Sequence, residues 1–358
     1  MRSLVVSDLH LGARTEVDTL RRAEPRAALL AELGGYDRLV LLGDTIELRH
    51  GPMRDAMAVA DPVLRELADA LAPGAEVVVV PGNHDHRLLR GWLERRAGEA
   101  DAPALELETA VDWREQEPLA ALAASLGGAN VRAAYPGVWL REDVYAIHGH
   151  YGDVHTTVPI LERLGAGLMM RVGPGNDGSP ARTEDYEAVL GPMYAWIDTV
   201  AQSGGVRGRG GGGLQVRAWH SLQGSGRRRS IRGAGVALAF PAAVAALNRA
   251  GLGPFRADVS GAELRRAGVR AVDEMIERLG VDAPYVLSGH THRAGPLPSD
   301  DRSDWATRRG ASMLNTGCWV YERGFLGDSP GDSPYRPGFC VALEDDAPPR
   351  LINLLDRA

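Results

Sequence analysis

A four-layer α/β/β/α sandwich with a mainly helical insertion is the fold class this sequence predicts. Three observations carry the expectation. The first third alternates apolar strand-like runs with helix-like segments. The stretches near 131–150 and after 284 read as strands joined by turns. Between them, from about 152 to 280, strand signals vanish.

The elements follow in order. "SLVVSD" (3–8) is a short buried strand, and residues 17–34 carry leucine and alanine at helical spacing. "RLVLLGD" (38–44) is a second strand. "ADPVLRELADALAPG" (60–74) reads as a helix capped by Asp61, followed by Pro62 and ending at Pro73-Gly74. "EVVVVPGN" (76–83) is a third strand. Strands apolar along their whole length are buried on both faces, as in parallel βαβ sheets. "VRAAYPGVWLREDVYAIHGH" (131–150) reads as strands with "RED" as one turn. "PYVLSGHTH", "SMLNTGCWVYE", "GFCVALED" and "RLINLLD" repeat that style. They suggest a second, partly antiparallel sheet packed on the first, with helices outside.

Within the insertion, residues 156–171, 183–202 and 260–280 read as helices, and 234–247 as a helix of its core. Residues 204–233 hold seven arginines, ten glycines and no acid. That composition predicts a flexible loop without a packed core. It serves either as a solvated linker or as a lid that attracts an anionic substrate, a lipid headgroup or nucleic acid. The expectation is one domain over 1–358, with 152–280 as an inserted cap.

Composition narrows the function. A net charge of -7 argues against a whole surface built for nucleic acid, so nucleic acid stays a minor alternative among partners. The 40 basic residues are all arginine, a usage that by itself indicates no phosphate site. Cys318 and Cys340 form neither a disulfide framework nor a CxxC motif. The longest apolar run, 234–247, is shorter than the roughly 18 residues a membrane span needs, and Pro241 interrupts it. The apolar start before Asp8 is too short for a signal peptide, so a cytoplasmic enzyme is expected.

Five clusters carry the chemistry. Each sets metal-capable residues beside a glycine at the end of an apolar run: Asp8 and His10, Asp44 and Glu47, "GNHDH" (82–86), His148 and His150, and His290 and His292. Loops at the carboxyl ends of α/β strands converge, so these residues are expected to meet. Aspartate and neutral imidazole without thiolate suit manganese, iron or zinc. One carboxylate bridging two ions sets up in-line displacement at phosphorus.

Together the clusters resemble the calcineurin-like metallophosphoesterase superfamily: Asp8-Leu9-His10, Gly43-Asp44, Gly82-Asn83-His84-Asp85, His148-Gly149 and Gly289-His290-Thr291-His292, in that order. The resemblance covers roughly 1–150 and 284–344. It implies that Asp8, His10 and His292 hold one metal, that Asp44 bridges, and that Asn83, His148 and His290 hold the second. A hydroxide between the metals then attacks phosphorus, and His84 stabilises the transition state or protonates the leaving oxygen. Glu47 is expected to orient His84, with Asp85 as the other candidate. His148, matching the HG of the pattern, is preferred over His150 as ligand. Two divalent ions are implied, manganese first and iron or zinc as alternatives.

The function expected is hydrolysis of a phosphate mono- or diester on a small-molecule or lipid-linked substrate, with peripheral membrane contact as an option. The motifs also look similar to the UDP-diacylglucosamine hydrolases. That branch commonly has arginine where His84 stands, which favours a general phosphatase or phosphodiesterase. A cyclic-nucleotide phosphodiesterase or a nuclease shares the motifs. A non-enzymatic scaffold is disfavoured, because such proteins tend to lose the ligands this chain keeps. Elsewhere, His86 reads as a surface or supporting residue, and His50, His155 and His220 as exposed. Arg293 is expected to meet a phosphate or an acidic neighbour. "NTGCW" (315–319) reads as a turn bordering the cleft, with Cys318 a small buried residue.

Overall fold

The computed structural model describes residues 1–127, 129–158, 161–172, 180–203, 241–258, 261–327 and 329–357. The arginine-glycine stretch 204–233, including His220, and the first part of the 234–247 run lie outside the described residues.

Parallel pairing of β1 (Ser3–Val6), β2 (Arg38–Leu42) and β3 (Glu76–Val80) forms the centre of the first sheet. β3 pairs in parallel with the start of β5 (Asn130–Arg141), and β4 (Glu108–Val111) lies antiparallel to β5. The second half of β5 turns to β6 (Val144–Ile147), which runs antiparallel to it. β7 (Tyr285–Ser288) and β8 (Ser312–Asn315) then continue in parallel. One long strand therefore serves both sheets.

Period-two side-chain alternation explains the all-apolar strands. Val5, Val40, Val78 and Val341 from the first sheet share one buried cluster with Val138, Val144, Ala146 and Leu287 from the second. The alternate residues Leu4, Leu39, Leu41, Val77 and Val79 are buried too. Burying each such side chain contributes about 1.5–3 kcal/mol, so both strand faces stabilise the sheet.

Four sequence expectations need revision. β9 (Phe339–Leu343) and β10 (Arg350–Asn353) do not extend the second sheet: β9 pairs antiparallel with β1 and β10 with β9. Helix α1 spans Ala23–Leu33, not 17–34. The segment before it is tied elsewhere, with Thr19 N donating to Trp319 O (2.9 Å) and Asp18 accepting from Gly12 N (3.1 Å). Helix α2 spans Met53–Ala70, so Pro62 lies inside it and Asp61 caps nothing. Asp61 instead accepts from Ser125 Oγ (2.7 Å). The proline removes one helical hydrogen bond. The buried stripe Ala56, Ala60, Val63, Leu64 and Leu67 outweighs that loss. The segment between β3 and β5 also carries elements the sequence reading did not assign: β4, α3 (Arg90–Gly98) and α4 (Pro118–Ser125).

The chain forms two compact units, one of Met1–His150, Tyr194–Val206 and Val281–Ala358, the other of Tyr151–Met193 and Arg207–Gly280. In the second unit the described residues include no strand, and their long elements are helices: α5 (Leu161–Val172), the first part of α6 (Thr183–Gln202), α7 (241–249) and α8 (Gly261–Leu279). There the Tyr151 ring stacks on Tyr186 at 4.7 Å, and its hydroxyl donates to Glu187 (2.7 Å). No described helix is long and apolar enough to cross a membrane.

Candidate metal centre

Parallel β1 and β2 release their next residues at one sheet edge. Asp8 N there donates to Gly43 O (3.0 Å), and His10 N to Asp44 O (2.8 Å). His84 N, beyond β3, donates to Asp44 Oδ1 (2.8 Å). The second sheet delivers its own loops, with Gly289 N donating to His148 O (2.9 Å). The two sets meet where His290 N donates to Asp8 Oδ2 (2.9 Å). Two motif glycines make this approach possible. Gly43 has φ +82°, and a Cβ there would strike the His148 ring. A Cβ on Gly82 would strike Asp44 Oδ1 and the same ring.

Three donor groups result: Asp8, His10 and His292; His10, Asp44 and His84; and Asp44, His148 and His290. His10 Nε2 lies 3.1 Å from His292 Nε2, and the latter 3.3 Å from Asp8 Oδ1. Asp8 Oδ1 is buried and, among the described residues, has no hydrogen-bond partner beyond that ring nitrogen. A buried carboxylate oxygen without a donor is costly, and facing imidazole nitrogens give it a reason to receive a cation. His148 Nε2 lies 3.3 Å from Asp44 Oδ2 and 3.2 Å from the Asn83 amide. With the Asn83 oxygen on that side, it joins the His148 and His290 nitrogens as a converging lone pair. The opposite orientation turns the amide nitrogen to His148 and His290 (3.0 Å) and the oxygen to Arg49. Such nitrogen and oxygen donors fit divalent transition ions.

The charges point the same way. Burial works against ionising Asp8, but His292 and His148 hold its carboxyl at about 2. Asp44 stays well below the usual range despite burial, through His148, His84 and His10. Burial opposes charge on His10 as well; Glu47, Asp44 and Asp8 overcome it and raise the ring to about 9. His148 rises to about 10 against its burial, chiefly through Asp44. Buried carboxylates thus demand positive charge here, supplied by protons on imidazole or by cations.

Glu47 is 2% exposed and reaches two rings with one oxygen: Oε2 lies 3.0 Å from His10 Nδ1 and 2.7 Å from His84 Nδ1. Burial lowers the His84 pKa, with Arg49 reinforcing and Glu47 opposing the shift. Asp85, the other candidate to orient His84, has its carboxylate on backbone groups instead. Its carboxylate accepts from backbone N–H groups of Gly82 (2.6 Å), Thr45 (2.7 Å), Asp44 (3.3 Å) and Ile46 (3.4 Å), which clamps the Asp44 loop to the Asn83 loop. Burial and then Asp44 push it up to about 6.

The structure brings His148, not His150, into the donor groups. His150 Nε2 lies 3.1 Å from the Tyr135 hydroxyl. His86 is nearly buried, its ring 5.0 Å from that of Tyr194. His50 is not fully exposed; it lies 3.8 Å from Glu47. His155, expected at the surface, lies 2.6 Å from the Tyr186 hydroxyl in the second unit. Arg293 meets the acidic neighbour: it donates to Asp300 (2.6 Å) and lies over Trp305. Cys318 is buried, and burial pushes its thiol up.

Sequence reading set "NTGCW" at the border of the cleft without its bracing contacts, and it missed Ser7. Ser7 Oγ bonds Asp8 Oδ2 and lies 2.6 Å from Thr316 Oγ1. The Asn315 amide donates to Gly289 O (2.6 Å), so "NTG" braces the "GHTH" loop. Only proximity to the motifs could have flagged these residues. Arg49 and Tyr194 beside the centre have no such signal; Arg49 Nε donates to Asn83 O (3.0 Å), and its guanidinium lies 5.3 Å from the Tyr194 ring centre.

No curated protein matches this chain. Among solved structures it is similar to the cold-active protein-tyrosine phosphatase of a psychrophile, Shewanella sp., at 14% identity, over 98% of this chain and 80% of that one. The TM-score is 0.26, a likeness that supports neither fold nor activity here. The family model described as calcineurin-like phosphoesterase matches residues 1–169, which hold every donor above except His290 and His292, and this match supports that superfamily for the chain.

Proposed function

We propose that the chain is a metal-dependent phosphoesterase. Asp8, His10 and His292 hold one divalent ion, Asn83, His148 and His290 hold a second, and Asp44 bridges. Manganese is the first assignment, with iron or zinc as alternatives. The observation that carries this reading is the position of Asp44. It belongs both to the donor group of His10 and to that of His148 and His290. That is the placement a bridging carboxylate requires.

Bound ions supply Lewis-acid stabilisation to phosphoryl oxygens and lower the pKa of water. The chain does the rest. Glu47 fixes His84 through Nδ1 and leaves Nε2 to give a proton to the leaving oxygen. Asp85 fixes the loops that carry Asp44 and Asn83. The carboxylate on His10 Nδ1 holds that ring with Nε2 toward Asp8 and His292.

We further propose that 152–280 is an insertion in this domain. Its support is topological. β6 and β7 are adjacent and parallel, Val144 opposite Tyr285, and the whole segment runs between them.

The test is a substrate panel with added manganese: a phosphomonoester, a phosphodiester, a cyclic nucleotide and a nucleotide-sugar diphosphate. Wild type should release product from at least one, while Asp44→Ala and Asn83→Ala lose bound metal and turnover. Full activity with bound metal in either variant rules the assignment out.

A further inference from the structure

The Asn83 side chain is 4% exposed and stands between two neighbourhoods, the His148 and His290 rings on one side and the Arg49 guanidinium on the other. Its amide has one oxygen and one nitrogen to place between them. In one orientation the oxygen faces His148 Nε2 at 3.2 Å. In the other the nitrogen donates to His148 Nε2 (3.2 Å) and His290 Nδ1 (3.0 Å), while the oxygen accepts from Arg49 Nη2 (3.1 Å) and Nη1 (3.2 Å).

The two sides do not weigh equally. Imidazole nitrogens donate or accept according to where their protons sit, so the rings suit either end of the amide. A guanidinium keeps its protons and only donates. Arg49 therefore takes the oxygen. With the amide nitrogen at that place instead, donors face a donor across 3.1 and 3.2 Å. Metal coordination demands this second, unfavourable arrangement, because an amide ligates through its oxygen.

Arg49 is held in place for this contest. Its Nε donates to the Asn83 backbone O at 3.0 Å, and its guanidinium lies 5.3 Å from the Tyr194 ring centre. Its backbone N donates to Glu47 Oε1 at 2.9 Å. All four residues belong to the first unit. The residue whose side-chain oxygen is wanted as a ligand thus fixes its own competitor through its backbone.

We propose that Arg49 is a positioning residue that competes with the second metal ion for the Asn83 oxygen and so weakens binding of that ion. The inference rests on the metal assignment in the phosphoesterase reading above. The effect falls on one ion of the pair, since Asp8, His10 and His292 carry no amide to turn. The manganese level then sets whether the centre is complete.

The experiment is a calorimetric titration of manganese into the chelator-treated full chain. Arg49→Met keeps an unbranched side chain beside Tyr194 and removes the donors. One of the two ions should bind about tenfold to hundredfold more tightly, the equivalent of one charge-assisted hydrogen bond, and the other should change by less than about threefold. The sign is decisive, because a residue that merely braced the Asn83 loop would weaken binding when removed. Loss of positive charge alone would tighten both ions, whichever residue replaced Asn83. Asn83→Asp separates the two causes. A carboxylate has an oxygen for each side, so in that background Arg49→Met should leave binding unchanged or weaken it. Arg49→Gln is the second variant; its carbonyl accepts from the amide nitrogen, and it should tighten the same ion. Unchanged or weaker binding in whichever variant folds, equal tightening of both ions, or the same tightening in Asn83→Asp overturns the competition. If neither wild type nor Arg49→Met binds two ions, the metal assignment itself falls and takes this inference with it.

Discussion

Replacing Glu47 by glutamine tests the centre most sharply, because one buried oxygen serves two rings with separate tasks. Oε2 lies 3.0 Å from His10 Nδ1 and 2.7 Å from His84 Nδ1. The substitution keeps the volume and removes the charge. Hydrogen bonds to a charged partner contribute about 1.5–3 kcal/mol, against about 0.5–1.5 for a neutral one. Through His10, whose Nε2 faces the Asp8 side, losing the carboxylate should weaken manganese binding by about 10- to 100-fold. Through His84, turnover at saturating manganese should drop by up to about 10²- to 10⁴-fold, the range for a general acid. The assay pairs a chelator-competition titration of manganese with steady-state kinetics for Glu47→Gln, His84→Ala and the double variant. His84→Ala should lose turnover and keep its metal. The double variant should turn over within about threefold of His84→Ala, because the two residues act as one unit and their effects do not add. A double variant slowed by the product of the two single effects refutes the argument. Wild-type manganese affinity in Glu47→Gln refutes its other half.

Two further outcomes follow from the same geometry. Gly82→Ala puts a methyl onto Asp44 Oδ1 and the His148 ring, so manganese affinity should fall about tenfold or more; an unchanged titration shows that the loops have room to yield. In the second unit, burial first and Arg278 next push His155 down to about 4 from an ordinary 6.5. Its folded pKa is depressed, so the unfolded chain binds the proton first as pH falls. Its contribution is complete above about pH 6.5 and is lost down to about pH 4, with a slope of up to about 1.4 kcal/mol per pH unit. Urea unfolding from pH 7 to 4.5 should show a steeper loss for wild type than for His155→Gln, and equal slopes contradict the burial argument.

Legibility in the sequence followed the range of the physics. β1 to β3 were readable because both of their faces are buried, which leaves unbroken apolar runs. The donor residues were readable because ligand chemistry restricts residue type and because a motif glycine stands directly beside the donors after β2, β3, β6 and β7. What escaped was set by distant partners. Pro62 after Asp61 looks like a helix start, yet α2 begins at Met53, whose N–H is capped from far along the chain by Gln202 Oε1 (3.0 Å). β9 and β10 have the local look of the preceding strands, and only the free edge of β1 decides their sheet. Arg49 and Tyr194 are far apart in sequence, and no spacing rule reaches from one to the other.

The backbone at the centre departs furthest from local preference. Asp8, His10, Asp44, His290 and His292 have φ between 46° and 68°. Left-handed backbone costs a non-glycine residue about 1–2 kcal/mol, so five of them amount to roughly 5–10 kcal/mol, the order of a domain's whole stability. The surrounding hydrogen bonds must hold this strain, and it marks where the fold gives up stability to aim its ligands. His292 makes the claim measurable, since glycine and alanine both remove its imidazole and differ from each other only by the methyl group. Glycine is ordinarily the less stable replacement, by roughly 0.5–1 kcal/mol relative to alanine. At φ 58° the order should reverse, because alanine keeps the strain and glycine relieves it. The net advantage of glycine is then about 0.5–1 kcal/mol. Denaturant unfolding of metal-free His292→Gly and His292→Ala reads that difference directly. Alanine equal to or above glycine in stability would show that the turn is unstrained, and that something other than stored strain accounts for left-handed ligands at this centre.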